Sequence, residues 1–303
     1  MVGLAGAQAI HDGALDPAAP LSDYLSLDVA WPDGVARSFT HLATHTSGIL
    51  DTDAGYEEVG YHFGATTHPM SLEGFLSAYL TEGGGLYDAD ANFGEGPPGS
   101  RYDYSNIATG LAGQAIGDAV GEDFAAYSAR VLAPLALSAG WGHLGPAPDG
   151  AATLYSRDEA GDLEALPPYG LATWPDGQFN ASARDLAKLL ATVMGGGRYE
   201  GVPLIAPEVI ALLTSPRAAG LDGMDDDDEV GLFWSTETLS YGIWRLHLEG
   251  HSGGDPGVFT MMYRTAGTDT GFVLMLNGEP EGLFALIRLA RIATLLSEMP
   301  EGP

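Results

Sequence analysis

The 303-residue chain contains no cysteine, which excludes disulfides, thiolate nucleophiles and cysteine-ligated zinc. Positive charge is nearly as scarce. Lysine and arginine together number 12 against 41 aspartates and glutamates, a net charge of −29. The sole lysine is Lys188. A surface this acidic repels phosphate backbones and anionic headgroups, so nucleic acid is not a partner. The imbalance fits either a salt-adapted protein or a GC-rich coding sequence. Long hydrophobic runs are missing too. The most apolar helix candidate, Gly282 to Glu298, carries Arg288 and Arg291 and reads as amphipathic rather than membrane-spanning. No positively charged stretch precedes the apolar opening, Met1 to Ile10, as a signal peptide would require. The compartment is left open by the sequence.

Hydrophobic residues make up 45 % of the chain, which excludes wholesale disorder. The length suits two average domains or a single large one. Met1 to Ile10 is small and apolar on every face, the pattern of a buried helix, and His11-Asp12-Gly13 supplies its end. No capping side chain stands ahead of it, so the helix is expected to belong to a chain that begins further upstream. Helices are also expected over Ser38 to Thr44, Ser71 to Thr81, Tyr104 to Val120, Phe124 to Leu132 and Ser182 to Met194, with serine caps at Ser71 and Ser182. Strands are expected over Val230 to Thr236, Tyr241 to Glu249, Gly257 to Arg264 and Gly271 to Asn277, closed by the helix from Gly282. Consecutive strands with short connections make an antiparallel sheet, and the whole reads as α+β. A single domain over 1–303 is expected, helical over about 38–200 and sheet-forming over about 230–298. The run Asp225 to Glu229 reads as a solvated loop. It lacks the alternating oxygen ligands and turn glycine of a calcium site.

Three short segments carry chemistry only when taken together: His41-Leu42-Ala43-Thr44-His45-Thr46-Ser47-Gly48, Tyr104-Ser105-Asn106 and His251-Ser252-Gly253-Gly254. In this order and spacing, with Gly13-Ala14-Leu15-Asp16, Pro20 to Leu25 and Ala183 to Ala187, they resemble the β-lactamase-related serine hydrolases. That group holds class C β-lactamases, D-alanyl peptidases and other penicillin-binding-protein-like enzymes, D-amino-acid peptidases and esterases. The resemblance covers nearly the whole chain. It implies a β-lactamase/transpeptidase-like fold and an acyl-enzyme route, in which the serine of a Ser-x-x-Lys motif attacks an ester or amide carbonyl and water releases the acyl group. Tyr104 would then move the proton, given a neighbouring cation to lower its pKa from about 10. Asn106 would hold the lysine and a substrate amide. His251 would stand where β-lactamases place the lysine of Lys-Thr-Gly, and Gly254 would give an oxyanion-hole N–H. Ser252 and Gly253 complete the substrate-binding strand, with His45 and Thr46 as structural support.

Ser-x-x-Lys itself is absent, because Asp185 stands three residues before Lys188. The resemblance puts the motif just upstream of the first helix and places the sheet's first strands before that, so an unpaired sheet edge and self-association are expected. The chain reads either as an N-terminally incomplete hydrolase acting on a small-molecule or peptide substrate, or as a non-catalytic ligand-binding relative. A fixed lysine charge attracts a substrate carboxylate where histidine does so only when protonated, which favours esterase or peptidase over β-lactamase. No cofactor or metal is expected. A site on His41 and His45, four residues apart, lacks a third ligand. Ser105 as a replacement nucleophile lacks an evident base. The five tryptophans are spread along the chain and read as core or pocket wall.

Overall fold

The computed structural model describes residues 1–144, 150–158, 160–241, 244–280 and 282–297. The first helix, α1 (Val2–His11), is buried along nearly its whole length, as its uniformly apolar composition requires. Its glycines are packing devices. A Cβ on Gly6 would sit 2.5 Å from Phe39 Cζ, and one on Gly3 would sit 2.0 Å from the Leu232 carbonyl oxygen. The helix ends at His11, followed by Gly13 at φ 74°.

The helix α4 (Asn106–Val120) packs against α1, α2 (Phe39–Ala43), α3 (Leu72–Leu80) and α5 (Phe124–Leu132). Each of α2 to α5 begins where a side chain satisfies the free N–H groups of the first turn. Ser71 accepts from Gly74, Ser105 from Ala108 and Asp123 from Ala126. In α2 the reciprocal cap is formed by Ser38 and the ring of His41. The helix α6 (Ala183–Met194) opens with a capping box between Ser182 and Asp185. One helix, α7 (Pro207–Thr214), was not anticipated; Pro207 at its first position and Glu208 in its first turn were its cues.

The last third forms one antiparallel sheet whose strands lie in chain order: β1 (Ala218–Ala219), β2 (Glu229–Val230), β3 (Ser235–Tyr241), β4 (Trp244–Asp255), β5 (Val258–Thr265) and β6 (Gly271–Leu276). The expected strand from Val230 to Thr236 is broken in two, because the backbone folds back at Gly231 (N–H to Trp234 O, 2.8 Å) and Phe233 takes φ 52°. The larger departure is β4. The expected strand ends at Glu249, but pairing with β5 continues through Gly253 and Gly254 to Asp255, and the turn comes at Pro256-Gly257. The closing helix α8 (Gly282–Ser297) packs on β3 and β6, over a small core of Leu248, Met261, Tyr263, Phe272, Leu289 and Ala293. Glu298, the expected end of this helix, lies outside the described residues.

Among the described residues no strand pairs with the outer edge of β6. Its free N–H and C=O groups form a template for pairing that the net charge of −29 opposes at low salt. Sedimentation velocity should therefore show association that grows with protein concentration and is stronger at 1 M than at 0.1 M salt. A monomer under all conditions would mean that the edge is inert.

Candidate active site

The strand β4 is longer than its neighbour β3. Ser235, the first residue of β3, stands opposite Gly250, and β4 continues through His251 to Asp255 with only β5 beside it among the described residues. Residues 251–255 therefore have an open edge. The two-residue turn pairs Asp255 with Val258, and in an antiparallel ladder the bonding direction alternates along the strand. Gly250 bonds towards β3, so the N–H and C=O groups of Ser252 and Gly254 point to the same, open side. Side chains alternate as well. His251 and Asp255 share one face, and Ser252 lies on the other with Tyr263.

Facing this strand is the Tyr-Ser-Asn segment, held by a carboxylate that the three motifs do not contain. Asp51 Oδ1 accepts from Ser105 Oγ (2.7 Å) and Ile107 N (3.1 Å); Oδ2 accepts from Asn106 N (2.7 Å) and Asn106 Nδ2 (3.0 Å). Four donors from three consecutive residues thus converge on one side chain at the start of α4. Burial raises the Asp51 pKa, and these donors oppose the rise. The amide NH2 of Asn106 is committed to Asp51, which leaves its carbonyl oxygen as the group free to accept.

His45 joins the other two motifs. It is 3 % exposed and adopts φ 53°, an uncommon left-handed conformation for a non-glycine residue. Its Nδ1 accepts from Ser105 N (3.2 Å), so the neutral ring carries its proton on Nε2. Burial, and secondly the nearby His251, push its pKa down to about 3. The ring lies against Tyr104 with centroids 4.3 Å apart. Thr46 Oγ1 bonds Thr44 Oγ1 (2.9 Å), and its carbonyl receives Gly99 N.

Tyr104 and His251 meet across the cleft, with ring centroids 6.4 Å apart. Tyr104 is 47 % exposed, yet protein crowds its phenol and raises its pKa; desolvation leads, followed by the acidic groups around it, Asp176, Tyr102, Asp51 and Asp255. No cation offsets them in that balance, so Tyr104 is a neutral hydroxyl here. His251 has a lowered pKa, first through desolvation and then through the Met1 amino group, with Glu237 opposing. The start of α1 lies near these motifs: Gly3 packs on the Leu232 carbonyl, and the ring of the adjacent Phe233 lies 5.3 Å from that of His45.

The remaining candidates separate by their partners. Ser105 is fully buried, and its hydroxyl donates to Asp51 while capping α4, so it has neither an imidazole base nor access to substrate. His41 turns its Nδ1 to Ser38, away from the partner of His45. Among the described residues no group of three His, Asp or Glu side chains is placed to hold a metal ion. Lys188 stacks over Tyr199 (5.3 Å) on α6. Trp141, Trp174 and Trp234 are buried, Trp31 packs on Phe93 beneath the Arg37 guanidinium, and the side chain of Trp244 lies outside those described. Three acids that the motifs do not mark, Asp51, Asp176 and Asp255, shape the site. Their only cue was position: Asp51 is three residues past Gly48, and Asp255 follows Gly254.

Removing the Asp51 acceptor strands several buried donors, so Asp51→Ala should lower the unfolding free energy by about 3 kcal/mol or more in a denaturant titration. A loss below about 1 kcal/mol would show that these bonds are replaced by water. For Asp255, burial raises the pKa from 3.8 to about 6, with Tyr61 opposing and Glu57 and Glu279 adding to the rise. The fold favours its neutral form, so stability present below the unfolded pKa is lost as pH rises through the folded one. The Tm of Asp255→Asn relative to the unsubstituted protein should therefore become more positive between pH 4 and pH 7. A difference that stays constant would remove the burial penalty.

Comparison with known proteins gives the same architecture. A penicillin-binding protein from Bacillus halodurans superposes with a TM-score of 0.70 at 24 % identity, covering 97 % of this chain and 82 % of that one. A D-amino acid amidase from Ochrobactrum anthropi SV3 gives 0.71 at 17 % identity, covering 98 % and 80 %. A β-lactamase/D-alanine carboxypeptidase from Yersinia pestis gives 0.68 at 16 % identity, covering 98 % and 80 %. At these identities the likeness speaks for the fold. No curated protein matches the chain in sequence. The profile of the Beta-lactamase family, however, matches residues 1–296, and with nearly the full length accounted for, the chain belongs to that family.

Proposed function

We propose that this domain acts on an ester or amide by an acyl-enzyme route, as a serine hydrolase whose nucleophile comes from a Ser-x-x-Lys segment upstream of Met1 in a longer polypeptide. The observation that carries the reading is the open edge of β4 beside Tyr104. There Gly254 points its N–H outward, as a developing oxyanion requires, and the Ser252 groups, one strand repeat away on the same edge, are placed to pair with substrate main chain. A Cβ at Gly254 would meet only an ordinary contact, 3.7 Å from Phe259 Cδ2. Packing within the chain does not demand glycine there, whereas close approach of a substrate does.

The start of α1 packs against Leu232, next to the Phe233 ring that meets His45, so a segment continuing the helix upstream approaches the cleft. A lysine ammonium arriving there meets Tyr104 among Asp51, Asp176 and Asp255, and it supplies the cation that lets the phenol pass a proton. Asn106, oriented by Asp51, offers its carbonyl oxygen to that ammonium. His251 remains neutral near pH 7 and gives a hydrogen bond rather than a charge, which suits esters and uncharged amides better than carboxylate-bearing β-lactams. Helical and sheet parts act as one domain, since the cleft is built from both.

The second reading, ligand binding without turnover, is favoured by the neutral Tyr104 and applies to the 303 residues alone. A fluorophosphonate distinguishes the two. The 303-residue chain should take no label, and a chain extended upstream through Ser-x-x-Lys should be labelled at that serine and hydrolyse p-nitrophenyl acetate. Labelling of the 303-residue chain would overturn the upstream nucleophile. An extended chain that takes no label and turns over no ester would leave the binding reading.

A further inference from the structure

Beyond the oxyanion edge, β4 ends in a second constellation. Asp255 shares a face with His251 four residues on, roughly 13 Å along the strand. Its Oδ1 accepts from Tyr61 Oη (2.6 Å), and its Oδ2 lies where a side chain on Gly177 would be, 2.7 Å from that Cβ position. Asp176, the residue before Gly177, is half-buried. Its Oδ2 accepts from Thr173 Oγ1 (2.7 Å) and Tyr56 Oη (3.0 Å), while its Oδ1 is buried with no hydrogen-bond partner. None of the ion pairs among the described residues reaches either carboxyl. Each carboxyl raises the pKa of Tyr104, so both act on the cleft.

Aromatic rings border the pair. Tyr61, Phe63 and Tyr169 stand with centroids 5.4, 5.7 and 6.3 Å apart, and Phe63 is 46 % exposed. Burial holds both carboxyls towards their neutral forms, Asp176 further through the charge of Asp255, and an organic cation entering beside the π-faces relieves that penalty through charge and ring quadrupole together. A hard metal ion would want more oxygen ligands than this arrangement offers.

We propose that Asp255 and Asp176, bordered by Tyr61, Phe63 and Tyr169, form a cation subsite that takes a primary ammonium group of the substrate. Calling the ligand a substrate rests on the hydrolase reading; the subsite itself does not. A carbonyl seated at the Gly254 N–H lies next to Asp255 in the chain, so an amine a few bonds from that carbonyl reaches the carboxyl pair. The substrate class is an ammonium-bearing acyl ester or amide.

Calorimetric titration of the 303-residue chain at pH 7.5 with benzylamine and its neutral isostere benzyl alcohol tests this. Benzylamine should bind about tenfold tighter, and Asp255→Asn, checked for folding by circular dichroism, should erase the preference. Equal binding of the two ligands, or a preference surviving in the folded variant, would overturn the subsite. The comparison on the unsubstituted protein needs no variant, so misfolding of Asp255→Asn leaves it decisive. The preference should persist in the upstream-extended chain. Its loss there would assign the carboxyls to the lysine and overturn the substrate role. Binding is read without turnover, so this subsite and the hydrolase reading fail separately.

Discussion

The convergence of four hydrogen-bond donors on Asp51 is the constraint on which the rest of the site depends. It fixes the first turn of α4 against the loop after His-Thr-Ser-Gly, across more than fifty residues of chain. A carboxylate in this position does two things. It satisfies N–H groups that a helix start leaves free, and it occupies the Asn106 amide so that only one orientation of that side chain remains. Tyr104, immediately before the clamp, is then held between the buried His45 ring and the cleft.

The elements that local chemistry dictates were legible in the sequence. The α1 helix announced itself by having no polar face, and α6 by Ser182 and Asp185 at capping-box spacing. The order of the three motifs was enough to reach the family. What was not legible depends on pairing between distant residues. Gly253-Gly254 looks like a turn until β5 lies beside it, and only then does the edge of β4 become a surface. Asp51 and Asp176 look like solvated acids until burial reveals what donates to them. Ser105 lacked an evident base in the sequence, and the structure adds that its capping bonds remove it from solvent.

Electrostatics in the cleft run against the usual expectation for a protein of net charge −29. Most of its acids face water, where salt screens them. The few that turn inward, around Tyr104, act at short range in a medium that screens poorly. Desolvation first and these acids second hold the phenol neutral, and desolvation holds His45 and His251 neutral as well. The interior of the cleft therefore carries negative charge and acceptors, with no fixed positive charge in the balance around the phenol.

The uneven lengths of β3 and β4 have a consequence for selectivity. A ligand lying along residues 251–255 joins the sheet as an extra strand, through main-chain groups that every peptide-like molecule possesses. Recognition of that kind ignores side chains and reads only extended shape and chain direction. Discrimination then falls to alternate positions along the ligand, those whose substituents turn towards the helical layer. Neighbouring substituents turn the other way and escape inspection. A pleated edge of this kind sorts molecules by stereochemistry before it sorts them by size, since inverting one centre sends a group from the inspected side to the uninspected one.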